Sequence, residues 1–532
     1  MTPFFWERTA RQIQRYGMPE IYAFSTDFPH PEGGTDPIGR LAGDIEPLGD
    51  DAVEASSFVT PNCSSRPHST NPPWSRGLRR WQFVNNDRPS RFRVMRKELS
   101  IARRVESDVV VVGGGTAGFG AAVSAGRRGL DVVLLESSSK IGGVMAFCPG
   151  MPWGGAYPVD RIIGGLTEEL TLRLATMQPP AAEKRPCALE NFGPEIVYDH
   201  DVATLTMFEM LDDAGVDVRL NTTAISPIMD GSRIGTIECF DRRGPFLITP
   251  KIVIECSGDG DIAAKAGVPF TVGDHGGNMM GVTASFFMIG VDWDLAFAEP
   301  DPYFTRFAAV GIAQGRLHPD LAKLYLMKGF HHGAVFCNSV HVRGVDGTDP
   351  SAVARATQEG RRRCLQLARF LQTDVPGFAN AYMTQLSPTV GVRETRKLEG
   401  MYQITGADLA RGAKFDDAIV CCDNPVDDVM RAATGMTHDS SVPEGDYYTI
   451  PFRSLVPKDV TNLMFAGRIV SADPVAFASV RGMPQCIAMG QATGTAAALA
   501  LTAGCSVQAI DTRQLVAELT QQGVHGLGSC SL

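Results

Sequence analysis

The spacing of apolar and polar residues changes character along the chain. From about Ser56 to Arg104 the segment is rich in Ser, Pro, Asn and Arg and shows neither a helical nor an alternating apolar period, which is the composition of a tether. From Val105 onward the pattern becomes that of a folded protein. The β-branched run ending at Val112 has no polar alternation, so it predicts a strand covered on both faces. "TAGFGAAVSAGRRG" then predicts a helix and "DVVLLE" a second buried strand. Further on, "VDVRLNTTAISPIMDGSRIGTIECFDRRGPFLITPKIVIECSGDGD" predicts a strand, a three-stranded meander with turns at "DGS" and "DRRG", and a returning strand. "HHGAVFCNSVHVRGVDGTDPSAVARATQEGRRRCLQLARFLQTDVPGF" predicts a strand, a turn-rich loop and a helix. A last helix is expected to start near Pro484, a residue suited to a first helical turn. Its weakly polar continuation, Cys486 to Gly504, carries Gln491, Thr493 and Thr495 among small residues, which suits burial inside a protein better than a membrane span.

Composition narrows the class. A chain of 532 residues with 44% hydrophobic and 20% charged residues buries a large core and is expected to hold at least two domains. A net charge of −10 argues against a nucleic-acid partner, because phosphate binding needs a basic face. Twelve scattered cysteines, with only Cys421 and Cys422 adjacent, do not form a secreted disulfide framework, and "MTPFFWERTARQIQRYG" lacks the apolar core of an export signal. A cytoplasmic protein with no membrane attachment is the expectation.

The densest chemical signal is "SDVVVVGGGTAGFGAAVSAGRRGLDVVLLES". Gly113, Gly115 and Gly118 match G-x-G-x-x-G between a predicted strand and helix: the first for the tight turn, the second for approach of a pyrophosphate, the third for close helix packing. The helix start at Thr116 and Ala117 supplies free N–H groups and a positive dipole end. Glu136 ends the second strand about twenty residues beyond the glycines, where a carboxylate accepts ribose hydroxyls. The ligand expected from the residues alone is a dinucleotide.

With these motifs the chain resembles FAD-dependent oxidoreductases of the glutathione-reductase structural class, related to the flavin subunit of heterodisulfide reductase, over about Val105 to Ala503. The resemblance implies an α/β fold: a Rossmann-type FAD-binding domain, a parallel sheet with a β-meander, at 105–280 and 449–532, and an inserted α+β substrate or cap domain at 281–448. It also implies further FAD contacts. Gly142 and Gly143 would approach the ribityl and ring portions, the backbone near Ala224 would touch adenine, and Ser257 and Gly258 of "CSGDGD" would admit the cofactor. In "TNLMFAGRIVSAD", Gly467 is followed by Arg468 where many such flavoproteins have Asp, which puts a carboxylate contact from that position in question and leaves a pyrophosphate contact open. Free N–H groups at Gln485 and Cys486 would face the flavin and stabilise negative charge on the reduced ring.

The expected function is hydride transfer between a small organic substrate and flavin N5. The alternatives are a flavin-dependent monooxygenase or oxidase, and a non-catalytic electron-transfer subunit working with an iron–sulfur partner. An electron donor or acceptor partner is compatible with each. The chain shows no second strand–G-x-G-x-x-G–helix unit, no iron–sulfur cysteine run and no C-x-x-C, so a dedicated nicotinamide domain, clusters and dithiol exchange are not expected. Arg393, in "PTVGVRETRKLEGMYQITGADL", is the first candidate to hold an anionic group, the alternative being a structural pair with Glu394 or another acid. His341 is a general-base candidate or a structural histidine. Cys148 reads as a small buried thiol near the glycine doublet, and Tyr447 and Tyr448 either line the pocket or fill the core.

Ahead of the tether, in residues 1–55, "EIYAFSTDFPHPEGGTDPIGR" resembles the last strand and loop of metal-dependent amidohydrolase barrels of the decarboxylase type, with Asp27 at the position that would face the metal. Closing such a barrel takes about 250 residues, and no histidine pair precedes it to complete a metal site. It is expected to be a detached remnant or a mis-set start of translation without metal chemistry, joined by a flexible linker over 56–104, so that the N-terminal region as a whole is disordered.

Overall fold

The computed structural model describes residues 103–527 apart from 149, 188, 190, 430–435 and 440. The amidohydrolase-like stretch and the linker up to residue 102 lie outside the described residues. The first strand, β1 (Arg104–Val112), starts one residue ahead of the boundary expected at Val105. Arg103 is already held, its guanidinium donating to both carboxylate oxygens of Asp241 at 3.0 and 2.8 Å.

A strand, helix and strand follow the predicted order: β1, α1 (Thr116–Gly126) and β2 (Val132–Leu135), with β3 (Asp217–Arg219) beyond. The meander is β4 (Thr223–Asp230), β5 (Arg233–Asp241) and β6 (Gly244–Glu255), with turns at the two predicted places. The expected separate returning strand does not exist, because β6 is one continuous strand of twelve residues. Gly244–Ile248 pair antiparallel with β5 while Leu247–Glu255 pair parallel with β1, so one strand serves both the hairpin and the sheet. The resulting order is β3-β2-β1-β6-β5-β4. Val109, Val110 and Val111 are fully buried, as a strand covered on both faces requires.

A second, antiparallel sheet is built from β7 (Val282–Ile289), β8 (Leu326–Lys328), β9 (Val335–Val342) and β10 (Tyr382–Leu386) in the order β8-β9-β7-β10. The helix α2 (Pro350–Asp374) packs its apolar stripe, including Leu367 and Leu371, on this sheet around Phe286 and Val335. The chain then returns to the first sheet as β11 (Leu463–Phe465), parallel to the end of β6, and continues into α3 (Met483–Ala503) and a last described helix, α4 (Thr512–Gln521). Among the described residues α3 is the one helix long and apolar enough to cross a membrane, and it is mostly buried. Its small residues explain the burial, since they lie directly against α1 in the core shared by both helices.

Candidate cofactor and substrate cleft

The three glycines at the β1–α1 corner do different things. Gly113 has φ +100°, and a Cβ there would run into the backbone of Cys256 and Ser257. Gly118 lies against the carbonyl of Gly113, which lets α1 sit on the strand. Around Gly115 the protein is open: the nearest atom to a Cβ would be the Gly143 Cα at 3.9 Å. No protein neighbour therefore requires glycine at 115, and the open side faces a cleft of about 710 Å³. A bare position turned to a cleft is what close approach by a ligand demands.

Thr116 and Ala117 line this cleft. The first turn of α1 contains no acidic residue and Gly115 provides no side-chain cap, so the first N–H groups remain for an anion. Glu136 turns back to the corner: one carboxylate oxygen accepts the Gly114 N–H at 2.8 Å and the other the Ser138 N–H at 2.7 Å. The Gly142 N–H donates to the Gly114 carbonyl at 2.7 Å, and Gly143 follows on the cleft wall. Ser257, Gly258 and Gly467 complete that wall. The Ser257 hydroxyl accepts the N–H groups of Asp259 and Gly260 at 3.2 and 3.1 Å. Arg468 lies over Gly258 and pairs with Asp259 at 2.8 Å, so its charge is partly neutralised where it faces the cleft.

Several expected positions differ. The helix α3 begins at Met483 with Gly482 as its cap, one residue earlier than expected, and the Cys486 N–H consequently donates to the Gly482 carbonyl at 2.9 Å. Cys486 lines the cleft with its side chain, but its N–H is not free; the first-turn donors left without an intrahelical acceptor belong to Met483 and Gln485. The Gln485 side chain is wholly buried and donates to the Gly155 carbonyl at 2.7 Å, away from the lining. Ala224 packs beside the core around Ile234 and Phe246 and is not part of the cleft wall. Neither Tyr447 nor Tyr448 lines it; Tyr448 is fully buried, with its hydroxyl 2.7 Å from the Ser479 hydroxyl.

Arg393 and Thr283 also line the cleft. Arg393 Nη1 donates to the Gly281 carbonyl at 3.2 Å and to the Thr283 hydroxyl. Its Nε and Nη2 donate to no acceptor among the described residues. The alternative pairing with Glu394 does not form, because Glu394 is buried against Lys397 at 2.5 Å and accepts the Met280 N–H at 3.0 Å. Burial pulls the Arg393 guanidinium down to about 10, with Arg481 adding to the effect and Asp427 opposing it, so it stays charged near neutrality. Asp427 is itself bound by Arg481 at 2.8 Å. His341 stands behind Thr283, its Nδ1 2.7 Å from the Thr283 hydroxyl, and does not reach the lining. Cys148 is buried on the wall, where burial raises its thiol above the usual range.

Phe147, Met151, Phe192 and Met327 add an apolar part to the cleft lining. The wall residues that the sequence analysis did not single out include Thr283, Asp427, Arg481 and Glu195. Glu195 is 7% exposed, and burial raises its carboxyl above the usual range. Thr283, Asp427 and Glu195 lie in stretches without a local motif, whereas Arg481 belongs to "RGMP", an arginine just ahead of a helix start.

A family model described as FAD dependent oxidoreductase matches residues 108–519. The chain belongs to the FAD-dependent oxidoreductase family. FAD is therefore the cofactor, and the bare Gly115 position with the uncapped α1 start fits its pyrophosphate. This oxidoreductase is 27% identical over 193 residues to digeranylgeranylglycerophospholipid reductase 1 of Methanococcoides burtonii, covering 35% of the chain and 46% of that protein. It is 34% identical over 144 residues to digeranylgeranylglycerophospholipid reductase of Picrophilus torridus, covering 24% and 34%. The chain thus spans under half the length of these curated relatives. Among solved structures, p-nitrophenol 4-monooxygenase of Pseudomonas putida is similar at 14% identity, with 78% of this chain and 84% of that one covered and a TM-score of 0.44.

Proposed function

We propose that this enzyme moves a hydride between a small organic anion and FAD, with Arg393 holding the anion. In this reading Gly115, Thr116 and Ala117 hold the pyrophosphate, Glu136 the ribose, and Gly143, Ser257, Gly258 and Gly467 the remainder of the cofactor. The finer kinship with the glutathione-reductase structural class belongs to the same proposal. FAD, when bound, supplies the two-electron chemistry. The protein's own part is to bind and orient the substrate and to control its proton.

The observation that carries the reading is the unengaged edge of Arg393. A half-buried guanidinium on a cleft wall, with Nε and Nη2 directed to no protein acceptor, presents two parallel donors, the geometry a carboxylate matches. The apolar side formed by Phe147, Met151, Phe192 and Met327 would take the body of such a molecule. A cleft lined at this depth supports a substrate-transforming enzyme over a closed electron-transfer subunit.

The test is anaerobic titration of the FAD-loaded protein with organic acids and with their amides, followed by flavin absorbance. Acids are expected to perturb or bleach the flavin while the amides do not, and Arg393→Gln is expected to weaken acid binding at least tenfold. Equal response to acids and amides would overturn the assignment. Substrate consumption that requires oxygen together with an added reductant would favour the monooxygenase instead.

A further inference from the structure

In the middle of their pairing, β9 carries one residue more than β7. Ala284 lies opposite Val340 and Phe286 opposite Cys337, so three steps on β9 face two on β7. Cys337 and Val340 both belong to the core that α2 covers, which residues three apart on a regular strand could not do. The extra residue makes a β-bulge, a device that re-aims side chains. Asn338 and Ser339 lie within it. Ser339 is engaged by the fold: its hydroxyl accepts the Tyr325 N–H at 2.8 Å, while the Tyr325 carbonyl accepts the Asn338 N–H at 2.9 Å. The Asn338 side chain lines the cleft.

Asn338 is only 6% exposed, yet its Oδ1 is shut off from solvent with no hydrogen-bond partner, and its Nδ2 donates to no acceptor among the described residues. The serine hydroxyls at this level of the sheet, Ser285 and Ser387, are bonded to each other at 2.5 Å. A buried amide ordinarily finds partners. With its oxygen turned inward, what Asn338 offers the cleft is N–H donors, and their complement is an acceptor. That acceptor is a neutral one. Of the four arginines lining the cleft, Arg396, Arg468 and Arg481 are paired with Asp261, Asp259 and Asp427, which leaves Arg393 to balance a single negative charge.

We propose that the substrate is an oxo acid whose carbonyl oxygen accepts a hydrogen bond from Asn338 while its carboxylate rests on Arg393, and that Asn338 selects such acids over plain ones. The proposal rests on the reading of Arg393 as the holder of the anion. Thr283, which accepts from Arg393 Nη1, lies opposite His341. Asn338 is three residues from His341 with one taken up by the bulge, so Thr283 and Asn338 are diagonal neighbours with Cβ atoms about 7–8 Å apart. The open Nε and Nη2 edge of Arg393 faces away from Nη1. Carboxylate and carbonyl are therefore separated by a run of carbons, and Met327, paired with Phe336 on the same strand as Asn338, adds apolar surface for that run.

The experiment uses the FAD-loaded, oxidised protein. 4-Oxopentanoate, 5-oxohexanoate, 6-oxoheptanoate and 7-oxooctanoate are each compared with the plain acid of the same length, with flavin absorbance and calorimetry as readouts. At one chain length or more the oxo acid is expected to bind about tenfold tighter than its plain counterpart. Asn338→Leu removes the amide at nearly constant shape, and Asn338→Ala removes it without filling its place. In both, the plain acid is expected to bind at least as tightly as the oxo acid. Because the amide has no partner to lose, Asn338→Leu is also expected to leave the unfolding midpoint of the ligand-free protein unchanged or raised. The proposal is overturned if no oxo acid outbinds its plain counterpart, if the preference survives in either variant, or if Asn338→Leu lowers that midpoint. It is equally overturned if Asn338→Leu shifts the flavin spectrum of the ligand-free protein, which would assign the amide to the cofactor. Failure of the Arg393 reading has a separate signature and takes the proposal with it: neither acid of any pair binds the wild type, or the plain acids bind Arg393→Gln as tightly as wild type.

Discussion

Gly490 of α3 rests directly on the carbonyl oxygen of Ala117 in α1, and a Cβ at 490 would meet that oxygen well inside contact distance. Gly120 stands in the same relation to the Ile487 carbonyl, so each helix contributes a glycine to the crossing. Because the obstructing atoms are backbone, a rotamer change offers no relief. Gly490→Ala is expected to destabilise the protein by about 1–3 kcal/mol, the usual cost of overpacking. The check is the urea midpoint of the variant against wild type; an unchanged midpoint would mean that the helices separate freely.

Gly115 and Gly118 separate ligand approach from packing. A side chain at Gly115 meets no protein atom nearer than 3.9 Å, whereas one at Gly118 strikes the Gly113 carbonyl. Gly115→Val is expected to keep the unfolding free energy of the cofactor-free protein within about 1 kcal/mol of wild type while losing retained FAD, measured as flavin absorbance per protein after gel filtration. Gly118→Ala is expected to lower the cofactor-free midpoint itself. A yellow Gly115→Val protein would show that the cofactor does not pass this corner.

The corner was legible in the sequence because its reasons are local: a turn, a close approach and a helix start lie within a few residues, each with its own residue preference. The same holds for Glu136, Gly143 and the strand run at Val109–Val112. Ala224 and the Cys486 N–H were misplaced for a different reason, since one residue of helix start or strand position decides whether a backbone group meets the cleft or an intrachain acceptor. Thr283 was invisible. Its position is set by cross-strand register with His341 and by Gly391, and nothing in the residues beside it states either relation.

Glu255, at the end of β6, is fully buried and accepts the N–H groups of Ser257, Ile262 and Ala263 at 3.3, 3.0 and 3.2 Å, tying down the loop that carries Gly258. Burial raises its carboxyl to about 7, above the ordinary value, against the lowering effect of those donors. The folded state therefore holds a proton that the unfolded chain has released. The associated stability is complete below the ordinary carboxylate range and is lost as pH rises through about 7. The loss amounts to about 3 kcal/mol. Glu255→Gln is expected to remove this slope, so that the difference in unfolding free energy between variant and wild type changes between pH 4.5 and 8 on the order of that amount. Parallel pH profiles for the two proteins would assign the slope to other groups.

Lys397 and Glu394 form a buried ion pair at 2.5 Å, with side-chain exposures of 1% and 0%, directly beside the cleft arginine. Lys397 also donates to the Gly273 carbonyl at 2.8 Å, and Glu394 accepts the Met280 N–H, so the pair ties the start of β7 to the segment carrying Arg393. Removing one partner leaves a charge in a site with no water to solvate it, which costs about 3–5 kcal/mol. Lys397→Met is expected to destabilise by that amount and, by releasing Glu394 as a competing anion beside Arg393, to weaken acid binding as well. Adding Glu394→Gln to the same chain removes the stranded charge and is expected to restore a large part of both losses. Unfolding midpoints and flavin-detected acid titrations of the two single variants and the double variant close the cycle, and simple additivity would mean that the two side chains do not act as a pair.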